Sequence, residues 1–277
     1  MTGAKPYLFS PCYDKYPQAK EDLTDLLNSL KLGEYNRYFR IVILLDSCHR
    51  IFEHEFRSRF GDIAEFWNHN SNNLNFTANT NRGLRKAREE GVGALVVNQD
   101  CILPSLEKIT NMCRPNWMAS AKTMDLPNKP LEEVIRLLDE SSLQKYDKYI
   151  SVMEIPSNKV AGYLFWLAPE VLQEVGVLDD TTFRGSFEDD DITARCLLAG
   201  FEAILEPTYC YHKGSHMQEN SMSRSGAYGV ADGSLGLHLS KFYRKWSIPA
   251  NIKHEDSIKW ILANYQWDSS LPQMRIV

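Results

Sequence analysis

Two continuous apolar runs constrain the fold of this chain more than any other feature. They are "RIVILLD" (residues 40–46) and "ALVVNQD" (94–100), and each ends in an acid. Apolar runs that are rich in β-branched residues and show no alternation are typical of parallel strands buried on both faces. Between them, "NTNRGLRKAREEG" (79–91) has the periodicity of a helix with Leu84 and Ala87 on its inward face. Strands joined by such a helix predict an α/β fold with a parallel sheet.

Other segments continue this alternation of strands and helices. We predict a strand over residues 7–12 that Pro11 stops, a helix that ends at Gly33, an amphipathic helix over 129–146, and a strand that leads into a helix near Pro169.

The chain changes in character after residue 213. Residues 214–236 are rich in Gly and Ser and have little apolar periodicity, so we expect a mobile loop, which is either a lid over a site or a linker. Apolar and aromatic residues return from Leu237 onward. This tail is expected to pack on the main domain.

Composition excludes several classes of protein. With 277 residues, 43% hydrophobic and 24% charged, the chain has the composition of a soluble globular protein. The formal net charge of -5 gives no electrostatic reason to expect a nucleic-acid backbone as a general partner. The six cysteines show no C-x-x-C spacing and are expected to be reduced. No apolar run approaches the roughly 20 residues of a membrane span and no signal-peptide pattern is present, so we expect a cytoplasmic protein.

Four consecutive acids, residues 188–191, precede a short apolar-periodic segment. Ser186 or Asp189 could cap a helix there, and acids in a first helical turn are favoured by the helix dipole. Asp191 and Arg195 have the spacing of a helix-surface ion pair. The first two acids of the run remain at a loop-to-helix junction, where a carboxylate can be held by backbone N–H groups and still face a cleft.

Two more acids lie where ligands bind in open α/β sheets. Asp46 and Asp100 fall at the carboxyl ends of predicted parallel strands. Each also has a simpler explanation as a turn residue at the end of a strand.

The acidic run belongs to a longer pattern. Residues 188–195, "EDDDITAR", have the form E-D-x-D-(aliphatic)-x-x-R and are followed by Gly200-Phe201, by Pro207 and by His212. This order resembles the family 2 glycosyltransferases of the GT-A fold. The resemblance spans residues 7–213 and a late motif, through the segments "SPCY", "NTNRGLRKA", "ALVVNQDCILP", "KVAGYLFWLAPEVLQEVGVLDD" and "FYRKWSIP".

The resemblance implies a fold and a division of the chain. We expect the GT-A (nucleotide-diphospho-sugar transferase) fold, with a mostly parallel central sheet flanked by helices. The catalytic domain would span 1–213, with a donor-binding half over about 1–104 and an acceptor and catalytic half over about 105–213. Residues 214–277 would form a loop and a C-terminal extension.

The resemblance also implies an activity. An enzyme of this kind transfers a sugar from a nucleoside diphosphate, with UDP favoured, to an acceptor hydroxyl and inverts the anomeric carbon. Asp189 would be the base that takes the acceptor proton, and Glu188 would orient the acceptor or support Asp189. A glycan is the expected acceptor, and a modified DNA base or a protein hydroxyl is the alternative.

A divalent cation is expected at Asp100 and His212, with Mn²⁺ favoured over Mg²⁺ because imidazole suits borderline metals. His216 competes with His212 for this role. The chain departs from the family's D-x-D motif, since Asn98 and Gln99 precede Asp100. One fewer negative charge should weaken metal binding.

The residues expected to contact the donor are Pro11, Tyr13, Asp46, Asn81, Arg82, Asn98, Lys245 and Trp246. Tyr13 could stack on a base, and Asn98 could bind the ribose. Tyr13 could equally be a core residue, and Lys245 with Trp246 could equally form an aromatic packing face.

Two further interpretations compete with glycosyl transfer. A nucleotidyltransferase could use a similar sheet, although its usual Gly-rich basic N-terminal loop is missing from "SPCYDKYPQ". A non-catalytic relative that binds glycans or nucleotides is favoured by the amide at Asn98.

Overall fold

The computed structural model describes residues 3–69, 74–126, 129–141, 160–213, 234–268 and 275–276. The strands of the main sheet are β1 (Tyr7–Cys12), β2 (Arg40–Asp46), β3 (Ala64–His69), β4 (Ala94–Val97), β5 (Cys101–Ile102), β6 (Trp117–Thr123), β7 (Leu164–Leu167) and β8 (Glu202–His212), and β9 (Tyr265–Gln266) pairs separately with β10 (Arg275–Ile276). The helices are α1 (Ala19–Leu32), α2 (Arg50–Phe60), α3 (Phe76–Glu90), α4 (Leu106–Thr110), α5 (Leu131–Asp139), α6 (Pro169–Glu174), α7 (Glu188–Leu198), α8 (Ser234–Lys245) and α9 (Ser257–Asn264).

The main sheet is mixed and has the order β3-β2-β1-β4-β7-β6-β8-β5. Strands β3, β2, β1 and β4 are parallel to one another, as the two apolar runs predict. Strand β7 runs antiparallel to both of its neighbours, β6 and β8 are parallel, and β5 is antiparallel to β8. The α/β class is therefore confirmed, and the carboxyl ends of β1, β2 and β4 lie at one edge of the sheet.

The helix motif between β3 and β4 is explained by close packing. The side chain of Asn75 caps α3 by accepting a hydrogen bond from the backbone N–H of Ala78, and Leu84 is fully buried, as predicted. Gly83 lies against the ring of Phe9 in β1, where an added Cβ would come within 2.6 Å of the ring. A glycine at this position lets α3 approach the sheet.

Several elements were not predicted, among them α2, β3 and the central strand β6. Strand β1 has the predicted bounds, residues 7–12, whereas the helix predicted over 129–146 is the shorter α5, Leu131–Asp139. The sequence analysis predicts neither α2 nor β3, although β3 alternates buried Ala64 and Phe66 with exposed Glu65. Pro11 does not stop β1, which continues to Cys12. Pro11 lies beyond Phe9, the last residue of β1 that pairs with β4, so its missing N–H removes no ladder bond on that side.

The C-terminal segment packs on α7. Helices α8 and α9 and the residues around them form an apolar cluster with the segment that leads into α7; its buried members are Phe183, Phe187, Ala194, Phe242, Trp246, Ile248, Ile261 and Tyr265. The loop predicted over 214–236, and with it His216, lies almost entirely outside the described residues. Every helix in the described ranges is too short or too polar to pass through a bilayer.

Candidate active site

Asp100 and His212 meet at the edge of the sheet where β4 ends. Nε2 of His212 lies 3.2 Å from Oδ1 of Asp100, and Asp100 is 2% exposed. This Oδ1 accepts no hydrogen bond from the described part of the chain. A buried carboxylate oxygen without a donor is costly, and a bound cation would remove that cost. Ligand atoms of Asp100, Cys101 and His212 all lie within 4.8 Å of one another, which is close enough for them to share one metal ion.

The two amides before Asp100 have separate roles. Asn98 donates its backbone N–H to the carbonyl of Tyr163 at 2.8 Å, and its buried side-chain Oδ1 accepts no hydrogen bond from the described residues. Gln99 is fully buried, and its Oε1 accepts the backbone N–H of Tyr13 at 2.7 Å. Gln99 therefore holds the loop after β1 against the turn at Asp100. A neutral amide is sufficient for this hydrogen bond, and a carboxylate is not required.

Asp189 lies at the start of α7 and is half-buried. Its Oδ2 accepts the backbone N–H of Gly162 at 3.0 Å, and its Oδ1 accepts that of Asp190 at 3.0 Å. These two contacts fix the orientation of the carboxylate. A Cβ on Gly162 would lie 3.3 Å from Oδ2, so the close approach depends on a residue without a side chain.

A capping role for Ser186 or Asp189 was wrong. The N-cap residue of α7 is Phe187, with a left-handed backbone (φ 69°) and no side-chain cap, and Ser186 Oγ donates instead to the carbonyl of Gly185.

A two-residue segment joins Asp189 to the Asp100 and His212 pair. Gly162 is bonded to Asp189, and the ring of the next residue, Tyr163, stacks on the ring of His212 with centroids 5.0 Å apart and planes 22° apart. The hydroxyl of Tyr163 donates to the carbonyl of Ala121 at 2.9 Å, which holds the ring in place. Burial raises the pKa of Tyr163, so its hydroxyl keeps its proton. The structure thus brings three predicted site residues into one region.

Glu188 differs from Asp189 in its environment. Glu188 is 4% exposed, and its Oε2 has no hydrogen-bond partner within the described ranges. Burial, followed by the neighbouring charge of Asp189, raises the pKa of Glu188 well above its usual range. A buried carboxyl group with a raised pKa is suited to hold a proton and donate a hydrogen bond.

The last two acids of the run are structural. Asp191 is fully buried and pairs with Nε of Arg195 at 2.9 Å, which confirms the predicted ion pair. Arg195 also donates to the carbonyls of Val175 and Val177, both at 3.0 Å. Oδ2 of Asp190 lies 3.2 Å from Nε2 of His254.

The predicted donor contacts of Lys245 and Trp246 are corrected by the structure. Trp246 is fully buried and donates its indole N–H to Oδ1 of Asp191 at 3.1 Å. Nζ of Lys245 lies 2.6 Å from the same oxygen and 2.8 Å from Oδ2 of Asp179. Both residues hold the C-terminal segment on α7, because a buried carboxylate needs such donors.

Asn81 is likewise placed in the core. Its amide donates to the carbonyl of Leu178 at 2.8 Å and accepts the N–H of Leu178 at 3.0 Å, and the residue is fully buried. These two bonds use its side chain to anchor the segment before α7. Arg82 is half-buried and donates hydrogen bonds to the carbonyls of Leu45 in β2 and Trp67 in β3. Both carbonyls lie toward the carboxyl ends of these strands.

Pro11, Tyr13 and Asp46 lie at the carboxyl ends of β1 and β2. Pro11 is buried beside Leu44, and Tyr13 is half-buried in the loop that follows. Asp46 is fully buried, and its Oδ1 accepts the N–H of Leu74 at 3.0 Å. The structure therefore supports the turn role of Asp46 and places it next to the predicted nucleotide end.

Sequence reasoning missed a charged cluster beside Asp100 and His212. The backbone N–H of Lys213 donates to the carbonyl of Asp100 at 3.0 Å, and its Nζ lies 3.1 Å from Asp22 and 2.6 Å from Asp25 on α1. Tyr16 donates its hydroxyl to Asp22 at 3.0 Å. The signal was present, because helical periodicity places Asp22 on the buried face of α1, and a buried acid requires a partner.

Comparisons with known proteins add to this geometry. No protein-family model matches the chain, and no curated protein matches it in sequence. Solved structures are similar in fold. A structure of S. aureus TarS residues 1–349 has a TM-score of 0.51 and 15% identity, over 94% of this chain and 71% of that one.

Two longer structures agree. S. aureus TarS has a TM-score of 0.51 at 15% identity, over 93% of this chain and 47% of its own. GalNAc-T7, whose structure contains UDP, GalNAc and Mn²⁺, has a TM-score of 0.55 at 13% identity, over 95% of this chain and 57% of its own. The chain thus spans about half the length of these two proteins. The shared feature is the sheet flanked by helices, and the chain has the GT-A fold.

Proposed function

We propose that this chain is an inverting glycosyltransferase that moves a sugar from a nucleoside diphosphate, with UDP favoured, to an acceptor hydroxyl. The GT-A fold and the glycosyltransferases that share it support this assignment at the level of the fold. The residues of the candidate site carry it further, because the fold alone does not define a reaction.

One observation carries the proposal. Asp189 is half-buried and oriented by the N–H of Gly162, and Tyr163, the next residue, stacks on His212 beside Asp100. A potential base and a potential metal site therefore lie on either side of a segment two residues long. Transfer of a sugar from a diphosphate needs these two functions close together.

Asp189 would accept the proton of the acceptor hydroxyl as the oxygen attacks the anomeric carbon. Attack from the face opposite the diphosphate inverts that carbon. Burial raises the pKa of Glu188 and so favours its protonated form. Glu188 is therefore better suited to donate a hydrogen bond to the acceptor or to Asp189 than to act as a second base. Gly162 fixes the direction of the Asp189 carboxylate.

Asp100 and His212 would hold a divalent cation. Between Mn²⁺ and Mg²⁺, Mn²⁺ is favoured, because imidazole suits borderline metals and a structure of the same fold contains Mn²⁺. The cation supplies positive charge to the departing diphosphate. Pro11, Tyr13, Asp46 and the side chain of Asn98 would line the nucleotide end, with the unpartnered Oδ1 of Asn98 as an acceptor for a ribose hydroxyl.

A glycan is the acceptor that the resemblance favours, and a modified DNA base or a protein hydroxyl is the alternative. The net charge of -5 disfavours DNA as a general partner.

The test is donor hydrolysis with a panel of sugar nucleotides and Mn²⁺, first without acceptor. Asp189→Asn should abolish turnover and retain UDP binding, measured by calorimetry, since the substitution removes the base and keeps the shape. Asp190→Asn is the matched control in the same helical turn and should retain activity, because Asp190 contacts His254. Equal activity of the wild type and Asp189→Asn would refute the proposed base.

A second candidate is a non-catalytic protein that binds nucleotide sugars. The amides Asn98 and Gln99 favour it, because they leave Asp100 as the one acid of the motif. UDP-sugar binding without hydrolysis, and without dependence on Asp100, would support this candidate.

A further inference from the structure

We propose that Cys101 is the third protein ligand of the Asp100 and His212 site and that this site therefore binds Zn²⁺ or Co²⁺ through a thiolate. The inference rests on the metal site of the proposed function and deepens it. A site built only from carboxylate and imidazole would bind through oxygen and nitrogen. A cysteine in the same cluster changes the class of cation that it prefers.

The strand pairing directs Cys101 toward the site. In the antiparallel ladder of β5 and β8, Cys101 is the residue directly opposite His212. Residues directly opposite each other project from the same face of a sheet. Because Asp100 precedes β5 in a turn, its carboxylate can reach the same point, and ligand atoms of all three side chains lie within 4.8 Å of one another.

The exposure of these side chains shows where a cation could enter, and one buried oxygen of the cluster lacks a hydrogen bond. Cys101 is fully buried and Asp100 is 2% exposed, but the side chain of His212 is 19% exposed, so a cation can enter from the His212 side. Oδ1 of Asp100 accepts no hydrogen bond from the described residues. The thiol of Cys101 lies 3.6 Å from the carbonyl of Tyr163, a weak contact.

Sulfur distinguishes this set of ligands. Thiolate together with imidazole and carboxylate selects Zn²⁺ and Co²⁺, whereas Mg²⁺ and Mn²⁺ are held mainly by oxygen. A coordinated thiol gives up its proton, because the cation offsets the cost of a buried anion. Three protein ligands leave a fourth position of a tetrahedral ion open, which a diphosphate oxygen of the donor could occupy.

The other cysteines nearby supply a control. Cys210 is two residues before His212 on the same face of β8, is fully buried, and is not one of the three clustered ligands. The side chain of Cys210 forms a hydrogen bond with Cys101, and the hydroxyl of a serine can keep this contact. Cys210→Ser therefore removes a neighbouring thiol from the same sheet and retains the three proposed ligands.

The experiment is Co²⁺ titration of the full chain, with and without UDP, followed by near-ultraviolet absorption. Thiolate ligation produces a sulfur-to-Co²⁺ charge-transfer band. We expect the band in the wild type and in Cys210→Ser, and its loss in Cys101→Ser. Competition calorimetry then measures affinity. Loss of an outer-shell partner alone typically costs about 10–100-fold in metal affinity, so Cys101→Ser should lower Zn²⁺ affinity at least about tenfold and Mn²⁺ affinity by less.

The wild-type spectrum tests the inference even if a variant fails to fold. Bound Co²⁺ without a charge-transfer band rejects Cys101 as a ligand and leaves the proposed glycosyl transfer intact. A band that persists in Cys101→Ser also overturns the inference. Failure of UDP to bind would instead count against the proposed function and leave the thiolate result unaffected.

Discussion

The buried acid at position 191 should dominate the stability of the contact between α7 and the C-terminal segment. Asp191 is fully buried and accepts from Arg195 at 2.9 Å, from Trp246 at 3.1 Å and from Lys245 at 2.6 Å. Asp191→Ala removes the shared partner of two buried or half-buried cations. Breaking a buried pair by removing one partner costs about 3–5 kcal/mol. Arg195 keeps its two carbonyl partners, so the lower half of that range is expected.

The assay is urea unfolding at constant salt, with the midpoint and slope fitted together. Thermal unfolding should agree, because about 2 °C per kcal/mol is typical of a large domain. The lower half of the range then gives a decrease in Tm of about 6–8 °C. Asp180→Ala is the matched control: Asp180 pairs with Arg85 at 2.7 Å, but the arginine side chain is 52% exposed. Such an exposed pair contributes about 0–1 kcal/mol. If Asp191→Ala costs no more than Asp180→Ala, the buried network does not hold this segment.

Three further outcomes are expected. Gly162→Ala should lower kcat by roughly tenfold and leave UDP affinity unchanged. The added Cβ would lie 3.3 Å from Oδ2 of Asp189 and would move that carboxylate by a few tenths of an ångström. An unchanged kcat in steady-state kinetics would contradict this. Gly83→Ala should destabilise the fold by about 1–3 kcal/mol in urea unfolding, because its Cβ would meet the ring of Phe9 at 2.6 Å, and a neutral effect would count against tight packing here. The pKa of Glu188 is raised in the folded state. Between the ordinary pKa and the raised pKa, the folded state therefore binds more protons than the unfolded state. The free energy of unfolding falls as pH rises through that window. Glu188→Gln should therefore gain stability relative to the wild type as pH increases, and parallel stability curves for the two proteins would refute the assignment.

Local sequence patterns predicted much of the secondary structure in the N-terminal part of the chain. The runs that form β2 and β4 are continuous and apolar, and they are buried as such runs should be. Helices α1 and α3 follow their apolar periodicity, with Leu23 and Leu84 fully buried. Two of the missed elements, α2 and β3, lie at the outer side of the sheet, where fewer positions are buried and the pattern is weaker. Strand β6 was also missed, although it is central in the sheet and its first five residues are buried.

Site residues were harder to assign than strands. The family resemblance predicted that Asp100 and His212 lie in one site, and Nε2 of His212 lies 3.2 Å from Oδ1 of Asp100. Asn81, Lys245 and Trp246 were assigned to the donor and instead bind the backbone or a buried acid. Their sequence pattern is the same in either role, because polar side chains beside apolar ones occur both in sites and in buried networks.

The amino-acid sequence by itself determined the α/β class, the alternation of strands and helices around β2 and β4, and the position of the acidic run at the start of a helix, because these depend on periodicity over a few neighbouring residues. Only the tertiary structure divided the four acids, since the partner of Asp189 is Gly162 and that of Asp191 is Trp246, 27 and 55 residues away. The pairing of β5 with β8 likewise brought Cys101 opposite His212. Contacts across such separations depend on the packing of the whole sheet, which no local pattern encodes.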